Sequence, residues 1–146
     1  MSACLLGVNC RYDGGGKAIA GIAELMGLAE LIPVCPEILG GLPTPRTPSE
    51  RRDGRVIAHD GRDVTAAFRR GAEEARKLAE LFGARTALLK ERSPSCGSGE
   101  IYDGSFSGGL MPGDGVAAEL LKSSGIEVFG ESRIEELIDA LRRNEL

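Results

Sequence analysis

The chain is predicted to be an α/β protein: a doubly wound, mostly parallel sheet of about four strands, with helices on both faces and a small hairpin insertion. Three observations predict this. Four short apolar runs, at residues 2–8, 31–35, 86–90 and 126–130, alternate with stretches of helical period, the order of a parallel sheet buried on both sides. Two Asp-Gly pairs flank RVIAH at residues 55–59, the signature of tight turns around a short strand. The 146 residues, 42% hydrophobic and 27% charged, suit a single domain over 1–146 that buries its own core.

The elements follow in order. SACLLGV, bounded by a glycine-rich turn, reads as the first buried strand. Residues 17–29 place Ile19, Ile22, Leu25, Met26 and Leu28 at helical spacing. LIPVC (31–35) reads as the second strand. In the stretch 36–50, Pro36, Pro43, Pro45 and Pro48 argue against regular helix or central strand. The hairpin occupies 51–65. A helix capped by Asp63 or Thr65 runs through Phe82 on a stripe of Phe68, Ala72, Ala75 and Leu78, and Gly83 terminates it. TALLK is the third strand, GVAAELLKSSG a helix ended by Gly125, IEVFG the fourth strand, and 132–145 a last helix capped by Ser132.

A net charge of -4 and a pI near 5.1 give no global basic field to draw the chain onto nucleic acid. RRDGR (51–55) is the densest basic patch and reads as a solvated hairpin. No apolar run approaches the ~20 residues of a membrane span, and MSACLLG lacks the features of a secretory leader, so a cytoplasmic protein is expected. In a reducing compartment four cysteines bind metal or do chemistry more often than they form disulfides.

The architecture places those cysteines. Cys4 lies on or just beyond the first strand, Cys35 ends the second, and Cys96 follows the third within the glycine-laden stretch 90–115. The carboxyl ends of parallel strands share one edge, where ligands bind, so three cysteines distant in sequence meet at one spot, with Cys10 placed to join them. Free cysteine often only fills core space, but Pro36-Glu37 beside Cys35, and Pro94-Ser95 and Gly97-Ser98 around Cys96, are poor surroundings for filler. A shared metal-type site assembled by tertiary structure is expected. It has neither the C-x-x-C pairs of structural zinc nor a ferredoxin run. GGGK (14–17) lacks P-loop spacing. GSFSG (104–108) is one residue out of a nucleophile elbow, and the single histidine, His59, falls in the hairpin.

CLLG and RYDG near the start, PVCPE-x-x-GGLPTPR, DVT-x-x-F-x-x-GA, LLKERSPSCG, YDGSFSG and GDGVAAELL together resemble the thiouracil desulfurase family, in order along nearly the whole chain. It resembles the short, stand-alone members rather than those with a further C-terminal domain. The resemblance implies an oxygen-sensitive [4Fe-4S] cluster held by only three cysteines, which by motif are Cys4, Cys35 and Cys96, with Cys10 outside the ligand set. It implies a thiolated pyrimidine as substrate, as a free base or nucleoside, or as thiouridine derived from RNA.

Three thiolates leave one iron open, a Lewis acid for the soft sulfur of a thiocarbonyl. Water attack on the thiocarbonyl carbon would then release sulfur with no net electron transfer. Glu37, two residues after Cys35, is the expected acid/base group, and Ser93 the hydroxyl that orients substrate or water. Asp13 and Arg46 are candidates for the pyrimidine edge. Ser95, with Gly97 and Gly99, is placed to offer backbone N–H groups to ligand or cluster, and Lys90 and Arg92 to offset its negative charge or to form surface ion pairs. Rival readings are a zinc hydrolase or deaminase-like enzyme with three cysteine ligands, a non-enzymic nucleotide- or anion-binding module, and a thiol redox protein using Cys4 and Cys10.

Overall fold

The computed structural model describes all 146 residues. After Ser2 the chain enters a 3₁₀ turn, Ala3–Leu6, closed by Gly7 in the left-handed region (φ 92°). It continues through α1 (Ile22–Leu28), α2 (Pro36–Leu39), the hairpin β1 (Ser49–Arg52) and β2 (Arg55–Ala58), and α3 (Thr65–Leu81). Then come β3 (Thr86–Leu89), a ribbon of β4 (Glu100–Tyr102) and β5 (Leu110–Pro112), α4 (Val116–Ser123), β6 (Glu127–Gly130), a second 3₁₀ turn and α5 (Ile134–Arg142). No helix is long and apolar enough to cross a membrane.

The expected α/β arrangement is present, with Ser2 at its pivot. Ser2 pairs in parallel with Val34, Ala3 N–H donating to Val34 O and Val34 N–H to Met1 O at 2.8 and 2.9 Å. On its other side Ser2 N–H donates to Leu88 O at 2.9 Å, and β3 pairs in parallel with β6 from Thr86↔Glu127 to Leu89↔Gly130. The lateral order is therefore Val34, Ser2, β3, β6. Strand residues alternate between two cores. Leu88 and Phe129 join Leu25, Ile134, Leu137 and Ile138 on one face. Ala87, Leu89 and Val128 join Ala118 and Leu121 on the other.

The structure differs from expectation at the first two apolar runs. Of residues 2–8 only Ser2 pairs as a strand, and of 31–35 only Val34, because a short apolar run carries no period to separate a strand from a buried turn. The helix expected over 17–29 begins at Ile22, held back by Gly21 at φ 85°. Pro36 opens α2 rather than preventing it, since proline at the first helical position forfeits only an N–H that would be unpaired anyway. Ser132 does not cap α5; its hydroxyl donates to Glu91. The hairpin and α3 fall where expected, although Val64 rather than Asp63 or Thr65 is the N-cap; they are tied together by Thr65 Oγ1, which accepts Val56 N–H at 2.9 Å and donates to Asp63 at 2.6 Å.

Two close approaches position the loops. A methyl group on Gly71 would lie 1.7 Å from Pro36 O, and one on Gly40 would lie 2.1 Å from Ala67 O, so α2 rests backbone-to-backbone on α3. The turn after β3 docks on α4 in the same way: Val116 N–H donates to Pro94 O, and Ala117 and Ala118 N–H donate to Ser95 O, satisfying helix donors that have no intrahelical partner. Gly115 permits this, because a methyl group there would meet Ser95 C at 2.4 Å.

Gly71→Ala is expected to push α2 off α3 and cost about 3 kcal/mol, lowering the melting temperature by roughly 10 °C. Gly27→Ala, in α1 with nothing within 4 Å, is expected to stabilise by about 0.5–1 kcal/mol through helix propensity. Thermal and urea denaturation of the two variants side by side checks both.

Candidate functional site

The carboxyl edge of the sheet opens into a cavity of about 570 Å³ whose lining includes all four cysteines, Cys4, Cys10, Cys35 and Cys96. Each arrives from a different piece of chain. The 3₁₀ turn after Ser2 brings Cys4, the loop beyond Gly7 brings Cys10, and Cys35 precedes α2. Cys96 sits in the turn that docks on α4. Cys4 and Cys10 are buried with one core and Cys96 with the other, so thiols from both faces of the sheet meet at its edge. A second cavity, about 120 Å³, is walled almost wholly by aliphatic side chains; Glu30 is its one charged residue and it holds no thiol.

Cys35, half-buried, is the hub. Its thiol points at Cys10 O (3.7 Å), and it raises the thiols around it. Burial pushes Cys10 up to about 12, with Cys35 and Cys4 adding to the effect. Burial likewise pushes Cys96 to about 12, against hydrogen bonds from Ser2 and Ser95 that favour the thiolate. Cys4 is raised by burial and then by Cys35, with Lys90 opposing. Crowded, desolvated thiols that oppose one another's ionisation are a donor set suited to a positive centre, which reverses that balance. No three His, Cys, Asp or Glu side chains stand close enough to hold one metal ion. Thiols brought from separate junctions to line one cavity are the donor type that iron–sulfur groups take.

Glu37 and the serines form a chain beside the thiols. Ser95 Oγ–H donates to Glu37 Oε2 (3.0 Å), and Ser93 Oγ lies 3.0 Å from Ser95 Oγ. Ser95 Oγ also lies 3.5 Å from Cys96 Sγ, so its one proton is shared between carboxylate and thiol, and either hydroxyl can donate in the Ser93–Ser95 pair. Ser93 Oγ also accepts the N–H groups of Ser95 and Cys96 at 3.2 and 3.1 Å, holding the cysteine turn closed. Arg46 Nε donates to Glu37 Oε1 (3.0 Å) and Nη2 to Cys10 O (2.9 Å). Its remaining bonds go to Pro43 O and Thr44 Oγ1, so this guanidinium clamps α2 to the cysteine loop and has little left for a substrate edge.

The structure thus brings Cys4, Cys35, Cys96, Glu37, Ser93, Ser95 and Arg46 to one cavity. Asp13 is not among the lining residues; its carboxylate accepts Gly15 N–H (2.9 Å) and stands 3.8 Å from Arg11. Lys90 pairs with Glu131, and Arg92 with Glu100 at 3.4 Å. Sequence inspection missed the outer wall, where Tyr12, His59, Tyr102 and Phe106 also line the cavity. Phe106 has a left-handed backbone (φ 55°), costing on the order of 1–3 kcal/mol. Buried Glu50 offsets that by accepting Phe106 N–H and Gly104 N–H at 3.0 Å each. The aromatic pair within YDGSFSG was the available signal.

Comparison with known proteins places the chain among relatives. A family model described as 2-thiouracil desulfurase matches residues 1–133. The protein YbbK of Bacillus subtilis (strain 168) is 38% identical over 148 residues, covering 94% of this chain and 98% of its own. The solved structure of the [4Fe-4S]-dependent thiouracil desulfidase TudS superposes with a TM-score of 0.91 at 50% identity, covering 97% of this chain and 95% of that one.

In the cluster-free, reduced chain, half-buried Cys35 is expected to alkylate first, and Cys10 and Cys96, 3% and 5% exposed, last. Timed iodoacetamide treatment with peptide mass mapping checks the order; rapid labelling of Cys96 would show that the turn is not docked on α4.

Proposed function

We propose a function from the premise that the chain belongs to the 2-thiouracil desulfurase family: it converts thiouracil to uracil and hydrosulfide with a [4Fe-4S] cluster, and takes related thiopyrimidines, including thiouridine released from RNA. The observation that carries this is the meeting of three thiols from three sheet-edge junctions with a carboxylate–hydroxyl chain in one cavity. Cys4, Cys35 and Cys96 would hold the cluster, leaving Cys10, whose carbonyl anchors both Cys35 and Arg46, as a structural neighbour. When bound, the cluster supplies a Lewis-acidic iron, free of protein thiolate, that polarises the C=S group. A reducing cytoplasm, where thiols stay available as ligands, is the compartment this chemistry needs.

The rest falls to the protein. Glu37 accepts a proton from the water that adds to the thiocarbonyl carbon, its carboxylate held in place by Arg46 on one oxygen and Ser95 on the other. The Ser93–Ser95 pair carries a proton between Glu37 and the far side of the site. The carbon–sulfur bond breaks as the carbonyl forms, one water proton finishing on the departing hydrosulfide and the other passing to solvent, so the reaction is a hydrolysis with no net change of oxidation state. Asp13, which pairs with Arg11 at the surface, would order the loop carrying Cys10 rather than touch the ring.

Anaerobic reconstitution with iron and sulfide, followed by 2-thiouracil, is expected to yield uracil and hydrosulfide in equal amounts. Cys35→Ala should lose both iron and activity. Glu37→Gln should keep its iron and lose about 10²–10⁴ in kcat. Undiminished desulfuration by Cys35→Ala would refute the ligand set, and undiminished kcat in Glu37→Gln the acid/base role.

A further inference from the structure

The outer half of the cavity takes no part in the chemistry above, yet most of the molecule's rings are there. Only 4% of the chain is aromatic, but both tyrosines, the single histidine and one of four phenylalanines line this cavity. The rings come from peripheral parts: His59 directly follows β2, and Phe106 sits at the tip between β4 and β5. They meet edge to face, centroids 5.0 Å apart and planes at 67°, a contact that occupies one face of one ring and only an edge of the other. Phe106 remains partly exposed toward the cavity rather than sealed in a core.

The backbone is arranged to hold that ring in place. Phe106 adopts φ 55°, a conformation a bulky residue rarely takes unless its surroundings impose it. Glu50 imposes it from the hairpin by binding the N–H groups of Phe106 and Gly104. Gly104 lies against Arg52, where a methyl group would approach Arg52 Cβ to 2.7 Å. A ring that only filled space would need none of this. Flat heterocycles stack on such rings, and stacking is a large part of how proteins hold single bases.

We infer that Phe106, backed by His59, is the platform on which the planar ring of the substrate stacks while its thiocarbonyl faces the thiol-lined end, making Phe106 a specificity-determining residue. Glu50 is a positioning residue that acts through it. This rests on the desulfurase function proposed above and adds the means by which a heteroaromatic ring is recognised.

The test uses anaerobically reconstituted protein, with equilibrium binding of uracil, which has the ring but no thiocarbonyl, and steady-state turnover of 2-thiouracil. Phe106→Leu is expected to weaken uracil binding and raise KM about tenfold, with kcat little changed. Phe106→Tyr, which keeps the ring, should behave like wild type. Unchanged uracil affinity and KM in Phe106→Leu would overturn the platform, as would equal losses in the Leu and Tyr variants. Wild-type protein that binds uracil in a Phe106-dependent way but releases no hydrosulfide would sink the desulfurase function and leave the platform standing. Normal turnover with Phe106→Leu indistinguishable from wild type would do the reverse.

Discussion

Pro36 O occupies the space that a side chain on Gly71 would fill, and the Ser95 carbonyl stands in the same relation to Gly115. These two contacts set the distance between the segment carrying Cys35 and Glu37 and the turn carrying Ser95 and Cys96. Ser95 can then reach Glu37 across 58 positions of sequence. Loops alone rarely fix catalytic groups to a few tenths of an ångström. Here each loop is pressed backbone-first onto a helix, so its position is set by van der Waals contact as well as by hydrogen bonds.

That rigidity is bought against electrostatics. Burial raises Cys4, Cys10 and Cys96, and Lys90, the cation that most opposes this at Cys4, is already paired with Glu131. Polar contacts are satisfied elsewhere in the interior: no buried side-chain nitrogen or oxygen lacks a partner. Apart from the buried Met1 ammonium, which desolvation lowers to about 6, the tension falls on sulfur, the atom type that a metal centre would deprotonate and bind.

Much of this was legible in the sequence, for identifiable reasons. The long helix α3 has clear period and length, and the strands read at 2–8, 31–35 and 86–90, alternating with helices, put the cysteine-bearing junctions on one edge. What stayed hidden was tertiary. Residues 2–8 and 31–35 contribute one sheet-pairing residue each because local apolarity does not say where pairing stops. Arg46 was read as a candidate substrate contact; four of its five N–H groups bind Glu37, Cys10, Pro43 and Thr44, partners that only folding reveals. The glycines at 40, 71 and 115 stood in recognisable motifs, but their function, admitting a foreign carbonyl, is visible only once the helices are packed.

The floor and the mouth of the cavity have separate structural origins. The floor is fastened to the central sheet and its two cores, whereas the mouth is formed by a hairpin and a ribbon outside that sheet, the ribbon bridged to Arg92 through Ile101, which touch through Glu50, Arg52 and His59. Peripheral ribbons tolerate replacement and insertion far better than packed cores. Descendants of this scaffold can therefore exchange their rim to admit bulkier or differently shaped molecules while inheriting the reactive base intact, so chemistry and clientele are free to evolve at different speeds.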